Sequence, residues 1–326
     1  MKERIDELAA QITRLREAYY DGDPLVADAE YDALEDELRA LIAEHPELTP
    51  DPNPLDQVGE PAQLHTPVRH SRPMLSLEKA TSPEQIEAFM ARFPGQPVIV
   101  MPKLDGFSLA LVYENGRLAR AITRGDGTTG EDVTVLVRAL VDDLPLRIPA
   151  PGRVEVRGEA VMLRSTFAAY NAAHPDKPLI NPRGGAAGTI RAKDPKSVEG
   201  RRLRFFAFDL DADQAPSDLE AALRDLGFDA AEMTHCEDPE GVQRVIAAIE
   251  AGRDQLDYDL DGAVLRLADR NAYAAAGTRA NSPRGALAFK FAAEEKTTVL
   301  ADVLWDVGKT GKVAPVAALE PVFVGG

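Results

Sequence analysis

Apolar residues at helical spacing dominate the first part of the chain. Ile5, Leu8, Ile12 and Leu15 recur every three or four positions, which is typical of a helix with one buried face. After a break at 21–24, a second helix is predicted, with Asp28 as its cap. Its apolar side carries Tyr31, Leu34, Leu38, Leu41 and Ile42. Two helices bury little surface by themselves, so we expect this unit, residues 1–60 with a proline-rich linker at its end, to dock on another.

Strands with interspersed helices are predicted for residues 61–298. The apolar runs predict strands over 107–114, 117–124, 153–162, 203–210, 259–267 and 286–292, and helices over 217–226 and 241–251. Because these elements do not alternate as strict βαβ units, the pattern favours an α+β fold. Residues 299–326 predict two further strands around a Gly-Lys-Thr-Gly turn, which we interpret as the truncated start of another β domain.

A hairpin is the most specific local prediction. Asn115-Gly116 is a strong signal for a two-residue turn, which would pair Glu114 with Arg117. Counting along the ladder then pairs Phe107 with Arg124, and one bulge would shift that register. Arg124 is therefore expected beside Gly106.

The composition narrows the class of protein. The 326 residues are 44% hydrophobic and carry a net charge of −17. The sequence holds no apolar run long enough for a membrane span and no apolar signal core at its start, so we expect a cytoplasmic protein without membrane contact. The single Cys236 excludes an intrachain disulfide and a cysteine-cluster zinc site. The net negative charge argues against a protein whose whole surface binds nucleic-acid phosphates. Seven basic residues between 183 and 204 still permit a local basic groove.

The stretch from Val98 to Gly106 carries the leading candidate for chemistry. An apolar, β-branched run ends in Lys103-Leu104-Asp105-Gly106. Side chains alternate along a strand, so Lys103 and Asp105 should project from one face. A lysine amine becomes a nucleophile when burial or a nearby cation lowers its pKa. The alternative, from these residues alone, is a surface lysine beside a turn.

A glycine-rich loop follows the predicted hairpin. Thr123 to Asp132 contains G-x-G-x-x-G, which dinucleotide-binding folds place inside a βαβ unit. Here the leading strand is the second arm of a hairpin, which argues against that fold. We interpret the segment either as an ordinary loop or as one that brings Arg124 against a bound phosphate or nucleotide.

Charged residues also alternate in a later strand. Glu155, Arg157 and Glu159 share one face, and the intervening valines share the other. This is either a solvated sheet face or the wall of a nucleotide cleft, where a carboxylate accepts hydrogen bonds from ribose hydroxyls.

Two more strands place cations near acids. Strict alternation places Asp261 and Arg266 on opposite faces of the predicted strand. A bulge at Gly262 would place them on the same face. Lys290 lies on the small-residue face of its strand, opposite Phe289 and Phe291. Both basic residues are either edge-strand charges or cations that hold a phosphate during transfer.

In this order the segments resemble the NAD-dependent DNA ligases of bacteria. The motifs that carry the resemblance are Asp28-Ala29-Glu30-Tyr31-Asp32, Pro73-Met74-Leu75-Ser76-Leu77, Lys103-Leu104-Asp105-Gly106, Thr123 to Asp132, Glu155-Val156-Arg157-Gly158-Glu159, Asn181-Pro182-Arg183, Asp261-Gly262 and Ala288-Phe289-Lys290-Phe291. The resemblance implies a helical domain that recognises nicotinamide mononucleotide (NMN; 1–60), an ATP-grasp-like nucleotidyltransferase domain of antiparallel sheets with flanking helices (61–298), and the start of an oligonucleotide-binding (OB) barrel (299–326).

The resemblance also implies a reaction. Lys103 would attack the α-phosphate of NAD, release NMN and hold AMP, which then passes to the 5′-phosphate of nicked double-stranded DNA, where the 3′-hydroxyl displaces it. NAD is thus a substrate, and Mg²⁺ (or Mn²⁺) is the implied metal. The family is monomeric, and it functions in DNA replication and repair. We expect a chain of this length to self-adenylate but to seal nicks poorly.

Roles for individual residues follow from the same resemblance. Lys103 and Asp105 would be catalytic. The nicotinamide half would be held by Tyr19 or Tyr20 with Asp28, Ala29, Glu30, Tyr31 and Asp32. The adenylate would be held by Ser76, Leu77, Arg124, Glu159, Asp261, Arg266 and Lys290, and DNA phosphates by Arg183 and Arg191.

The chain departs from the family pattern at several of these positions. Met101 stands where the family has a glutamate that reads the adenine amino group, and Arg266 stands where it has a lysine. Gly184, Gly285 and Lys79 replace other usual residues. Two alternatives therefore accompany the ligase hypothesis: a divergent, non-catalytic module that binds NAD or DNA, and an ATP-dependent nucleotidyltransferase.

Overall fold

An amphipathic helix opens the chain. The computed structural model describes residues 1–20, 34, 37–38, 40–42, 44–50, 66–212, 216, 218–279, 282–291, 297–307 and 313–322. Helix α1 spans Lys2–Tyr20 and buries Ile5, Leu8 and Ile12 completely. They pack with Leu38, Leu34, Leu41 and Ile42, which confirms both predicted apolar faces as far as residues are described. The predicted cap Asp28, the break at 21–24 and Tyr31 lie outside the described residues.

The strands and the two helices predicted between residues 107 and 292 end within two residues of their predicted limits, and the structure adds further helices and short strands that were not predicted. The helices are α2 (Pro83–Ala91), α3 (Thr134–Leu140), α4 (Arg164–Ala173), α5 (Pro182–Ile190), α6 (Leu219–Asp225), α7 (Pro239–Gly252) and α8 (Arg270–Ala276). The strands are β1 (Pro67–Arg69), β2 (Glu78–Ala80), β3 (Val98–Leu104), β4 (Phe107–Glu114), β5 (Arg117–Thr123), β6 (Thr129–Glu131), β7 (Val141–Asp142), β8 (Arg153–Val161), β9 (Leu203–Asp211), β10 (Asp229–Ala230), β11 (Thr234–Cys236), β12 (Leu260–Leu267), β13 (Thr278–Arg279), β14 (Ser282–Pro283), β15 (Ala286–Lys290), β16 (Leu300–Val307) and β17 (Val313–Leu319).

Two sheets form the frame of the larger unit. A six-stranded sheet has the order β10-β9-β8-β4-β5, with β7 also paired to β9. A five-stranded sheet has the order β11-β3-β12-β15-β2. Most neighbours are antiparallel, as expected for an α+β fold, and helices cover the apolar faces of both sheets. The predicted α+β class of antiparallel sheets with flanking helices is confirmed.

The chain crosses from one sheet to the other at the Lys103-Leu104-Asp105-Gly106 segment. Strand β3 of the five-stranded sheet ends at Leu104, and β4 of the six-stranded sheet begins at Phe107. A Cβ atom at Gly106 would lie 2.3 Å from the carbonyl oxygen of Ala160 in β8. Only glycine permits this close backbone approach, which places the candidate lysine where the two sheets meet.

The hairpin prediction is correct at its turn and wrong at its far end. Glu114 pairs with Arg117, and Asn115 has the positive φ of 50° that such a turn requires. A bulge in β5, between the pairs Val112–Arg120 and Tyr113–Leu118, leaves Ala119 unpaired. Leu109 therefore pairs with Thr123. The predicted pairing of Phe107 with Arg124 is therefore displaced by one residue.

The last described segment is a separate hairpin. Strands β16 and β17 pair antiparallel, as predicted, while the turn between them lies outside the described residues. The described part of the chain forms no closed barrel here, so the OB domain stays a prediction. Across the described ranges, no helix combines the length and apolar character needed to cross a bilayer.

Candidate active site

A cavity of about 670 Å³ lies between the two sheets. Residues that pair side by side on one face of the five-stranded sheet form successive rungs along this cavity. The first rung is Lys103, Gly262 and Lys290, the second is Met101, Val264 and Ala288, and the third includes Arg266 and Ala286. Rungs that point to one face are about 7 Å apart. The opposite face of these strands, which includes Val100 and Leu265, is buried in the core.

A bulge in β12 brings an acid to the candidate lysine. Leu260 pairs with Leu104 and Gly262 with Lys103, so Asp261 is an extra residue that joins the cavity face. A Cβ atom at Gly262 would lie 2.0 Å from the carbonyl oxygen of Phe289, which explains the glycine. The sequence did not decide whether Asp261 and Arg266 lie on the same face of their strand. The bulge places both side chains against the cavity.

Asp261 joins the two lysines of the first rung. Lys103 Nζ donates to both carboxylate oxygens at 2.7 and 2.9 Å, and Lys290 Nζ donates to Oδ2 at 3.0 Å. Burial acts to raise the pKa of the Asp261 carboxyl, but the two lysines outweigh burial and hold that pKa below its usual value. The site therefore keeps one anion between two cations.

Asp105 and Arg183 form the next ion pair along the cavity. Arg183 Nη1 lies 3.0 Å from Asp105 Oδ1, and its side chain is 60% exposed. Burial raises the pKa of Asp105 despite the opposing charge of Arg183. Asn181 caps α5 by accepting a hydrogen bond from the backbone of Gly184, which fixes the helix end that carries Arg183.

Glu159 is a half-buried acid beside the same group. Ser108 Oγ donates to its carboxylate at 2.7 Å, and the two residues pair directly across β4 and β8. Burial raises the pKa of Glu159 to about 7, although Ser108, Lys103 and Arg183 act to lower it. Ser108 was not predicted, and its signal is a lone serine in the apolar strand Phe107–Glu114.

The glycine-rich loop folds against the cavity, and Arg124 lines it. Gly125 and Gly127 both have positive φ, and Asp126 accepts backbone hydrogen bonds from Thr128 and Thr129. The buried His70 was also missed: its Nε2 lies 3.1 Å from the carbonyl oxygen of Thr123 and 3.2 Å from that of Arg124. The loop follows an antiparallel hairpin, as predicted, and not a βαβ unit.

The far end of the cavity is built around Asp209, which was not among the predicted site residues. Arg266 Nη1 donates to Asp209 Oδ1 at 2.9 Å, and Arg72 donates to Oδ2. Burial acts to raise the pKa of Asp209, but the surrounding arginines outweigh it and keep the pKa below its usual value. Arg157 is buried beside them and donates to Glu155 at 2.7 and 2.9 Å. Glu155 and Arg157 are thus buried rather than solvated, and Arg157 and Glu159 line the cavity.

The structure brings most of the predicted site residues together. Those that line the cavity are Ser76, Leu77, Lys103, Asp105, Arg124, Glu159, Arg183, Asp261, Arg266 and Lys290. Arg191 is outside it, exposed at the end of α5. Tyr19 and Tyr20 belong to α1, and Asp28, Ala29, Glu30, Tyr31 and Asp32 lie outside the described residues.

The spacing of the acidic side chains determines what kind of metal site they can form. Within the described ranges, no group of three or more His, Cys, Asp or Glu side chains is close enough to hold an ion by itself. Mg²⁺ commonly binds through one or two carboxylates together with substrate phosphates. The cavity carboxylates Asp105, Glu159 and Asp261 fit that arrangement, in which the phosphates supply the remaining ligands.

A lysine at the junction of two sheets, held by an acid and faced by further cations, is an arrangement suited to nucleotidyl transfer. The chain belongs to the family described as "NAD-dependent DNA ligase adenylation domain", which matches residues 62–294. Residues 1–59 match the "DNA ligase-like, N-terminal NAD+-binding domain".

Individual relatives agree with this family. DNA ligase 1 of Nocardia farcinica is 76% identical over 326 residues, covering 99% of this chain and 49% of that protein. The DNA ligase of Alkalilimnicola ehrlichii is 42% identical over 342 residues, covering 99% of this chain and 51% of that protein. The chain therefore spans about half the length of these relatives. A solved structure of mycobacterial DNA ligase D complexed with ATP and MES aligns with a TM-score of 0.38 and 19% identity, over 67% of this chain and 60% of that one.

Proposed function

We propose that this chain performs the adenylation step of an NAD-dependent DNA ligase, with Lys103 as the nucleophile. The observation that carries the proposal is the position of Lys103 Nζ, 2.7 Å from Asp261 in a cavity that Lys290, Arg124 and Arg183 also line. Phosphoryl-type transfer depends on positioning and on cations that stabilise the phosphate charge, and this cavity supplies both.

The step exchanges one bond to phosphorus for another. The Lys103 amine forms a bond to the α-phosphorus of NAD, the bond from that phosphorus to the bridging oxygen breaks, and NMN leaves with the electron pair. Lys103 has to lose a proton, and Asp261 is the acceptor already hydrogen-bonded to it. Lys290 stays beside the transferred phosphate and compensates its charge. Mg²⁺, bound through phosphate oxygens and one or two of Asp105, Glu159 and Asp261, would add further charge stabilisation.

We propose that residues 1–60 select NAD over ATP by holding its nicotinamide half. The match of residues 1–59 to an NAD+-binding family supports this. Tyr19, Asp28, Tyr31 and Asp32 carry the proposed contacts, and Ala29 and Glu30 complete the motif. The remaining residues would form the adenylation domain (61–298) and the opening strands of an OB domain (299–326).

The proposed final acceptor of AMP is nicked double-stranded DNA, contacted by Arg183 and Arg191. The names of the relatives support this partner. We also expect a cytoplasmic protein that is monomeric in solution, which light scattering coupled to gel filtration would check.

The test is the intact mass of the protein after incubation with NAD and Mg²⁺, with ATP as the comparison. We expect one AMP added with NAD and none with ATP. Lys103→Ala should abolish the adduct, whereas Lys177→Ala, an exposed lysine outside the cavity, should not. Binding of NAD without an adduct would instead support a non-catalytic module, and an adduct with ATP would contradict the proposed choice of substrate.

A further inference from the structure

The segment that leads into the bulge of β12 is held by a helix that follows the other sheet. Residues 257–259 contact the first turn of α4, which comes directly after β8 of the six-stranded sheet. The backbone N–H of Arg164 donates to the carbonyl oxygen of Asp257 at 2.7 Å, and the N–H and hydroxyl of Ser165 donate to the Asp257 carboxylate at 2.9 and 2.5 Å. Leu163 stands at the cap position of α4 and offers no side-chain hydrogen bond. Asp257 therefore caps this helix from a distant part of the chain.

Arg164 also binds this segment with its side chain. Its Nε donates to Asp259 Oδ1 at 2.7 Å, and its Nη1 donates to the carbonyl oxygen of Leu256 at 3.0 Å. The side chains of Arg164 and Asp259 are 38% and 27% exposed. An ion pair with that exposure adds little to the stability of a fold. Its consequence lies instead in the groups that Asp259 holds in place.

The backbone of Asp259 is bonded to the segment that carries the candidate lysine. Its carbonyl oxygen accepts the N–H of Asp105 at 3.0 Å, where the chain passes from one sheet to the other. Two residues after Asp259, Asp261 is the extra residue of the bulge, and its carboxylate is bonded to Lys103. The position of the Asp259 backbone therefore determines where both of these acids stand.

We propose that Arg164 is a positioning residue for the adenylation step. Through Asp259 it fixes the backbone that brings Asp261 to Lys103. Arg164 and Asp259 are both described, and neither lines the cavity, so they act through the backbone and not by contact with NAD. A displacement of about 1 Å in the groups at a reacting centre can cost on the order of a hundredfold in rate. This inference rests on the proposed adenylation function.

The test is the rate of AMP adduct formation on the intact protein, measured with Mg²⁺ over a range of NAD concentrations. We expect Arg164→Ala to lower the rate at saturating NAD at least about tenfold and to change KM less than about threefold, because the pair positions groups that act on Lys103. Asp259→Asn breaks the same ion pair, keeps the size of the side chain and should give the same loss. Arg164→Lys can still donate to Asp259 and should recover most of the rate. Arg224→Ala breaks an exposed ion pair within α6 and should change neither constant.

A double variant shows whether the two side chains act as one unit. Arg164→Ala combined with Asp259→Asn should lose no more rate than the worse single variant, because either change alone already breaks the pair. Melting temperatures are measured on the same proteins, and Asp259→Asn carries the comparison if Arg164→Ala does not fold.

The outcomes separate this inference from the proposed function. Wild-type rates in both single variants, additive losses in the double variant, or equal losses in Arg164→Lys and Arg164→Ala would each overturn the positioning role and leave the adenylation function intact. No adduct on the wild-type protein would overturn both.

Discussion

At the scale of single residues, the site is defined by acids whose pKa values move in opposite directions. Asp261 is bonded to Lys103 and Lys290, which hold its pKa below the usual value despite burial. Glu159, a short distance along the same wall, has a pKa raised to about 7 by burial. Neighbouring acids with separated pKa values are typical of functional sites. We infer that Asp261 is ionised before the reaction and can therefore accept a proton from Lys103, whereas Glu159 is close to half protonated at neutral pH.

Glu159 should make the stability of the fold depend on pH. Its pKa of about 7 in the folded state exceeds the ordinary glutamate pKa of 4.5, so the folded state binds the proton more tightly than the unfolded state. Its contribution is complete below about pH 4.5 and is lost as the pH rises through 7. Relative to Glu159→Gln, the free energy of unfolding of the wild type should therefore fall by roughly 3 kcal/mol between these limits. Urea titrations at pH 5 and pH 8 measure the difference, and equal pH dependence in both proteins would contradict it.

At the scale of elements, two glycines allow the strands to come close enough to form the site. A Cβ atom at Gly106 would lie 2.3 Å from the carbonyl oxygen of Ala160 at the sheet junction. A Cβ atom at Gly262 would lie 2.0 Å from the carbonyl oxygen of Phe289 beside the bulge. Neither has a positive φ, so space rather than backbone conformation excludes a side chain.

Gly262→Ala should therefore destabilise the fold. The added methyl group has to displace the backbone of β15, and overpacking of this kind costs about 1–3 kcal/mol. Gly252→Ala is the matched control, because a Cβ there meets nothing within 4 Å. Thermal unfolding of both variants is the measurement. Equal melting temperatures for the two would refute the packing argument.

The elements also show where sequence patterns stop being informative. The limits of β4, β8, β9 and α7 follow from apolar spacing, because that spacing reports which face is buried. The bulges at Ala119 and Asp261 cannot be located from apolar spacing, because the position of an unpaired residue depends on how the neighbouring strand pairs with it. Asp209 and His70 were missed for a related reason: their importance comes from contacts with residues more than fifty positions away. The Lys103 motif could be recognised because its residues are adjacent in sequence.

At the scale of the whole molecule, a net charge of −17 has to be reconciled with the proposed DNA partner. The basic stretch near α5 is only partly neutralised. Arg202 pairs with Asp142 and Arg204 with Asp229, whereas Arg191 and Lys193 are exposed and form no ion pair with any described residue. The positive surface is therefore narrower than the sequence suggests and begins at the end of α5.

DNA affinity should depend on this narrow surface. We expect Arg191→Ala to weaken binding to a nicked duplex and to reduce the slope of log K against log salt concentration by about 0.9, the value for one lost phosphate contact. Arg202→Ala should change the slope little, since its charge is already paired. Fluorescence anisotropy at several salt concentrations gives both slopes. If the two variants shift the slope equally, Arg191 has no special contact with DNA.

The central claim is that the Lys103 amine, and no other nucleophile of this cavity, takes the adenylate. The most direct measurement is tandem mass spectrometry of peptides from the NAD-treated protein, under conditions that preserve a phosphoramidate bond. We predict AMP on Lys103 alone. AMP on Lys79 or Lys290, which line the same cavity, would contradict the claim.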